Sequence, residues 1–357
     1  MKNRLVTVLL VCLAIVFFQS PVLANQSGLL IPDQVTGELA YQHVSYISKN
    51  IGARVAGTLE EQQTRDYIAG QLLTMGYDVQ IQTFTATNWS GIEYSSANVI
   101  ATKPGKIDQT VIIGAHYDSV SERTCEDTGD VSTGAGDNAS GVGVILEVAE
   151  VLSSYKYKGI IKFVLFGAEE VGLLGSEFYA EQMSENEIQN TVAMINLDSV
   201  GVGDHFNVYS GKDNNPGWVR DLALKIGQGI GHDIRTSPGN KDLTDCDYYF
   251  GAGETADWSD HAYFRLLGIP IAYFEMMNWE LDECEGVEAG DVPGGWVMHT
   301  CMDNLSMVSI EKLEMTAEVV AALAFQISKN KLPKSKKGKV AKGNKFISIK
   351  KRNSLQD

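Results

Sequence analysis

The chain has 357 residues, of which 29 are basic and 45 acidic, giving a formal net charge of -16 with 44% hydrophobic side chains. That length and apolar share suffice for the core of one large α/β domain or two small ones, and the acidity argues against nucleic acid as a partner because such a surface repels phosphate. The charge is uneven: residues 331–352 carry ten of the basic side chains and no acid, so the remainder is more acidic still.

Met1-Lys2-Asn3-Arg4, the uncharged run from Leu5 to Phe18 and the segment Pro21–Asn25 read as the basic, apolar and cleavage regions of an export signal, cut after Ala24. The run is short of the ~20 residues a spanning helix needs. No later segment is long and apolar enough to span, so the mature chain is expected to be secreted or periplasmic, without a membrane span. Residues 25–330 show no linker and no repeat and are expected to form a single domain. Residues 331–357 read as a basic, disordered tail, first as a solvated extension and, more sharply, as an attachment to anionic envelope polymers or to the chain's own acidic body.

Cys12 leaves with the signal. Cys125, Cys246, Cys284 and Cys301 remain, and four thiols in an exported chain imply two disulfides with three possible connectivities. The expected pairs are Cys246–Cys284 and Cys125–Cys301. The lack of a Cys-x-x-Cys pair argues against a cysteine-only zinc site.

In chain order, Thr58–Met75 carries Tyr67, Ile68, Leu72 and Leu73 at helical spacing and ends at Gly76, and Tyr77–Phe84 alternates as a strand does. Strands follow at Val99–Thr102 and Thr110–Gly114, then a helix at Gly141–Leu152, a buried strand at Ile160–Phe166 and a helix at Glu177–Met183. A strand at Thr191–Leu197, a helix near Trp218–Ile226, a strand at Pro270–Phe274 and a long amphipathic helix at Ser309–Ser328 complete the reading. Strands alternating with helices imply a three-layer α/β fold, a twisted sheet flanked by helices. In such sheets ligands bind beyond the carboxyl ends of the strands.

His116, Glu169-Glu170 and Asp198 each fall just past such an end. Alone, each has a plain structural explanation: a buried histidine, an acidic turn, a strand-end carboxylate. Together they call for a cation, because buried charge without a partner is costly. Asp118 is placed to take the second ring N–H of His116. Asp137, in Gly134-Ala-Gly-Asp-Asn-Ala-Ser-Gly141, would alone read as a helix N-cap, but its two oxygens also suit a bridge between two ions. Asn138-Ala139-Ser140 is formally a glycosylation sequon, although a glycan there would obstruct the site. His299 precedes the last helix, with Asp303 placed either to support it or to cap that helix.

Two imidazoles and three carboxylates, from His116, Asp137, Glu170, Asp198 and His299, favour zinc over calcium, with manganese or cobalt as substitutes. Five ligands with one bridging carboxylate suit two Zn2+ ions per chain sharing a water. Glu169 is then free to act as general base, the single catalytic carboxylate.

The segments Gly114-Ala-His-Tyr-Asp-Ser119, Gly136-Asp-Asn-Ala-Ser-Gly141, Phe166-Gly-Ala-Glu-Glu-Val-Gly172, Asn196-Leu-Asp-Ser-Val-Gly201, Ser259-Asp-His-Ala-Tyr-Phe264 and His299-Thr300 resemble, in the same order, the secreted bacterial di-zinc aminopeptidases. The wider family includes glutamate carboxypeptidase and glutaminyl cyclase. The resemblance spans about Asn50–Ile327 and takes in Ile51-Gly-Ala-Arg-Val-Ala-Gly-Thr58. It implies a single domain with a mainly parallel sheet, one zinc on His116 and Asp198, a second on Glu170 and His299, Asp137 bridging and Glu169 as base. It also implies peptide substrates with a free N-terminus.

Some relatives place a tyrosine before the last histidine ligand; this chain has Met298, and Tyr248, Tyr249 or Tyr273 are the substitutes. Asp260 and His261 match the family segment and are assigned no metal. The acidic loop 280–291 before His299 predicts a preference for basic side chains. Competing readings are a glutaminyl cyclase or a carboxypeptidase on the same scaffold, and a metal-free binding module, which the complete ligand set opposes.

Overall fold

The computed structural model describes residues 34–213, 215–239, 251–278, 292, 296–329 and 331–332, together with the paired backbone of 23–24 and 30–31. The signal region up to residue 22, Cys246, Tyr248, Tyr249, Cys284, the acidic loop 280–291 and the tail beyond residue 332 lie outside the described residues.

The short antiparallel pair β1 (Leu23–Ala24) and β2 (Leu30–Ile31) precedes helices α1 (Glu38–Asn50) and α2 (Leu59–Thr74). The body then runs β3 (Asp78–Thr87), β4 (Glu93–Lys103), β5 (Thr110–His116), α3 (Gly141–Ser153), β6 (Ile160–Phe166), α4 (Leu174–Gln182), α5 (Glu185–Asn190) and β7 (Thr191–Leu197). It closes with β8 (Phe206–Gly211), α6 (Trp218–Ile230), β9 (Ile234–Arg235), β10 (Glu254–Thr255), α7 (His261–Leu266), β11 (Ile271–Met276) and α8 (Ile310–Lys329).

Nine strands form one sheet in the order β10-β8-β11-β7-β5-β6-β4-β3, with β9 beside β8. Its centre, β11-β7-β5-β6, is parallel, whereas β3 and β4 on one side and β8 on the other join antiparallel. The central strands are apolar without interruption because helices cover both faces. On one face Val111, Ile113, Phe163, Ile195 and Phe274 pack with α1, α2, α3, α6 and α8. On the other Ile112, Val164, Phe166, Met194 and Tyr273 pack with α4 and α7.

Thr58 caps α2 by accepting the Glu61 amide at 3.3 Å, as its position before an apolar stripe predicts. α1 has no such local signal. Its preceding residue, Gly37, sits at φ 72° without a side-chain cap, and the Thr36, Gly37 and Ala40 amides donate instead to the Glu147 carboxylate of α3 at 2.9–3.1 Å. The carboxylate satisfies amides that the helix itself leaves unpaired and complements its dipole.

Also in α1, the buried His43 ring meets the Tyr67 hydroxyl at 2.7 Å through Nδ1, while Nε2 has no hydrogen-bond partner. Burial pushes this imidazole down to about 4 from an ordinary 6.5. The folded protein therefore binds fewer protons here than the unfolded chain. Stability from this group is whole above pH 6.5 and is lost as pH falls from there towards 4, by about 3 kcal/mol. Denaturant melts across that window should show a His43→Gln variant losing less stability than wild type by about that amount. Parallel curves would remove His43 as the cause.

The strand registers align the site. His116 lies level with Phe166, and Gly114 with Asn196, so two residues further on Asp198 comes beside His116. Glu169 and Glu170 follow Phe166 in the turn before α4, at the same edge of the sheet.

Candidate metal centre

Two triads of potential ligand atoms converge there, each with its atoms within 4.8 Å of one another: His116, Asp137 and Asp198, and Asp137, Glu170 and His299. Asp137 belongs to both. His116 Nε2 stands 3.1 Å from Asp137 Oδ1 and 3.3 Å from Asp198 Oδ1. His299 Nε2 stands 3.0 Å from Asp137 Oδ2 and 3.2 Å from Glu170 Oε2. All five residues read from the sequence as ligands are thus brought together, with one carboxylate presenting a different oxygen to each side.

Asp137 is buried inside the tight turn 135–140 that leads into α3, so it is not an N-cap. Asp303 accepts the Gly136 and Asp137 amides at 2.6 and 3.2 Å and so supports the Asp137 turn rather than the His299 ring. Asp118 lies 3.6 Å from His116 Nδ1, too far for the expected hydrogen bond. Its oxygens accept the amides of Glu169 and Glu170 at 3.0 and 3.1 Å instead, fixing the turn that carries both carboxylates. Asn138 is fully buried, donating to Leu197 O at 2.9 Å and accepting the Gly141 amide at 2.9 Å, which excludes a glycan on the folded chain.

Backbone strain gathers at the same place. Ala168 before Glu169, Ser199 after Asp198, and His299 itself adopt φ values of 55°, 52° and 58°, a left-handed conformation costly for non-glycine residues. Glu61 of α2 braces the first of these by accepting the Ala168 amide at 3.2 Å.

The charges show what the cluster lacks. Burial opposes ionisation of Asp137, yet hydrogen bonds from His116 and His299 outweigh it and hold the carboxyl far below its usual range. His299, half exposed, is pushed up to about 11 by its bonds to Asp137 and Glu170. Burial and Asp137 raise Glu170 to about 7 against the pull of His299. For His116, burial disfavours the cation, but Glu169, Asp198, Asp118 and Asp137 together raise it well above 6.5. Both imidazoles thus hold protons between carboxylates, the behaviour of a site short of positive charge. The donor set, two nitrogens and three carboxylates with His116, Asp137 and Asp198 buried, fits zinc.

Glu169 belongs to neither triad. Burial holds its carboxyl well above the usual range, opposed by His116 and reinforced by Glu170, Asp260 and Asp198. Asp260 is fully buried and pushed up to about 7, chiefly by burial. His261 bonds Ala256 O at 2.8 Å and stacks on Tyr273, whose hydroxyl donates to Glu275 at 3.1 Å. Of the tyrosines considered in place of Met298, Tyr273 is therefore engaged elsewhere.

Cys125 and Cys301 form the expected disulfide, closing a separation of 176 residues and tying the 125–133 loop to the segment that carries His299. Thr133 N donates to Asp303 O at 2.8 Å beside it. In the chain-entropy picture, removing the bridge by Cys125→Ser with Cys301→Ser is expected to cost about 3–5 kcal/mol. Denaturant unfolding of the double variant checks this; an unchanged midpoint would refute it.

Among the described residues no helix is long and apolar enough to cross a membrane.

The sequence profile of peptidase family M28 matches residues 98–324. The alkaline phosphatase isozyme conversion protein of Escherichia coli (strain K12) is 33% identical over 271 residues, 71% of this chain and 76% of that protein. Aminopeptidase YwaD of Bacillus subtilis (strain 168) is 31% identical over 277 residues, 74% of this chain but only 51% of that one, so the chain spans about half its length. Among solved structures, a zinc aminopeptidase from Bacillus subtilis superposes with a TM-score of 0.66 at 22% identity, covering 86% of this chain and 98% of that one, a likeness of fold.

Proposed function

Because the chain belongs to peptidase family M28, we propose that it is an exported zinc aminopeptidase that removes N-terminal residues from peptides with a free α-amine. The observation that carries this reading is the pair of ligand triads sharing Asp137, with Glu169 beside them and outside both. His116 and Asp198 would hold one zinc, Glu170 and His299 the other, and Asp137 would bridge them. When bound, the ions supply Lewis acidity for the scissile carbonyl and lower the pKa of the attacking water.

The protein's own part is proton transfer and alignment. Glu169, desolvated and with a raised proton affinity, takes the proton from the attacking water and returns it to the leaving amine. Asp118 aims Glu169 and Glu170 from one carboxylate through their adjacent amides. Asp303 does the same for the Asp137 turn. The name of aminopeptidase YwaD agrees with this activity. The Cys125–Cys301 bridge supports an oxidising compartment, and with it the reading of residues 1–24 as an export signal.

The test is release of free amino acid from unblocked, N-acetylated and N-terminal-glutamine peptides, by protein with zinc, after chelation and after zinc is restored. Zinc-dependent cleavage of unblocked peptides alone is the expected result. Release from the carboxyl end would make the protein a carboxypeptidase, and ring closure without cleavage a cyclase. Metal-independent inertness would leave a binding module.

A further inference from the structure

Arg54 stands in the turn between α1 and α2, upstream of the matched residues 98–324. It is fully buried. Its guanidinium donates to four carbonyl oxygens: Nε to Tyr117 at 2.7 Å, Nη1 to Thr133 at 2.6 Å and Gly52 at 3.0 Å, and Nη2 to Gly134 at 2.8 Å. Its backbone pairs with Ser119, whose hydroxyl accepts the Arg54 amide at 2.9 Å and whose amide donates to the Arg54 carbonyl at 3.2 Å.

The bonded carbonyls identify what the side chain does. Tyr117 follows His116 directly, and Thr133 and Gly134 lead into the turn of Asp137. These segments lie outside the sheet, whose ladder therefore does not fix their spacing, although the Gly134 oxygen also accepts the Ala139 amide at 3.1 Å. One planar fork therefore spans the two loops whose side chains meet at 3.1 Å, His116 Nε2 to Asp137 Oδ1. A lysine has three donors on one atom and cannot reproduce that span.

The chain is also shaped around the guanidinium. A Cβ at Gly134, where φ is 60°, would stand 2.9 Å from Nη2 and 2.5 Å from Ser119 Cβ. The site's acids offset the buried cation at longer range, with Asp303, Asp118, Asp137 and Glu170 all favouring its charge. Arg54 thus lies behind the ligands and bonds to backbone on both sides of them.

We propose that Arg54 is a positioning residue of the metal centre, clamping the Tyr117 and Thr133–Gly134 backbones so that His116 and Asp137 stand at the separation one shared ion requires. The inference rests on the zinc reading of the site. It assigns to a residue outside the matched segment the spacing of two ligands within it.

Metal-free wild type, Arg54→Lys and Arg54→Met are titrated with zinc against a chromophoric chelator. Unfolding curves, and kcat and KM on an unblocked dipeptide, are taken where each protein is folded. Arg54→Lys keeps the charge and loses the span, so it isolates positioning. The expected result is zinc binding weakened about tenfold to a hundredfold, with kcat reduced and KM nearly unchanged. Zinc affinity and kcat indistinguishable from wild type in the folded variants, with stability alone reduced, would overturn the inference. Failure of both variants to fold would overturn it too, assigning Arg54 to folding. If wild type itself takes up no zinc, the reading of the site fails first and the inference falls with it.

Discussion

Replacing Glu169 with glutamine is expected to lower turnover of an unblocked peptide by about 10²- to 10⁴-fold while leaving zinc content at the wild-type level. The two effects separate because Glu169 lies outside both ligand triads, although it adjoins Glu170. Glutamine preserves the size of the side chain, and the backbone amide at this position keeps its 3.0 Å bond to Asp118. What disappears is a carboxylate that can accept and return a proton. The left-handed Ala168, braced by Glu61, keeps the turn in place whichever side chain follows it. Steady-state kinetics with metal analysis on the same preparation decides the matter. Near-normal turnover would remove Glu169 as the base; zinc lost in parallel with activity would make it a ligand.

The proposed ligand set is legible because each member stands at a point that the sequence marks. Apolar runs ending at His116, before Glu169-Glu170 and at Asp198 announce buried strands, and parallel strands of similar length present their carboxyl ends at one edge. The glycine-rich approach to Asp137 announces close backbone packing. α1 was not read, for a physical reason. Its buried face mixes His43 and Ser48 with Ala40, Val44 and Ile47, which dilutes the apolar stripe, and its amino end is satisfied by Glu147 from more than a hundred residues away. β8 was also missed, since Asn207, Ser210 and Gly211 interrupt its apolar residues although every position is buried.

The supporting contacts were hidden for the same reason as the α1 cap. Asp118 and Asp303 neighbour histidines in the sequence, yet both spend their oxygens on backbone amides of other segments. Arg54 stands in a segment that the resemblance takes in, but its role left no sign there, because a cation that bonds only carbonyls leaves no complementary side chain to find. Such residues become visible only when the turns they join are folded against each other.

On the proposed two-zinc reading, Asp137→Ala should remove both ions, whereas Asp198→Ala should weaken chiefly one. The asymmetry follows from membership: Asp137 gives Oδ1 to the side of His116 and Oδ2 to the side of His299, while Asp198 belongs to the His116 triad alone. Without Asp137 each side retains two ligands, His116 with Asp198 and His299 with Glu170. Zinc sites normally use three or four protein donors, so two leave each ion weakly held. Without Asp198 the first side has two ligands and the second keeps its full triad. Metal content after dialysis against a buffered zinc concentration should therefore fall from two ions to near none in Asp137→Ala and to about one in Asp198→Ala. Turnover in Asp137→Ala should drop at least as far as in Glu169→Gln, since it loses the ions along with the water they activate. Equal metal loss in the two variants would contradict a bridging carboxylate and reduce the centre to one ion. Full retention in Asp137→Ala would place the metals on other donors altogether.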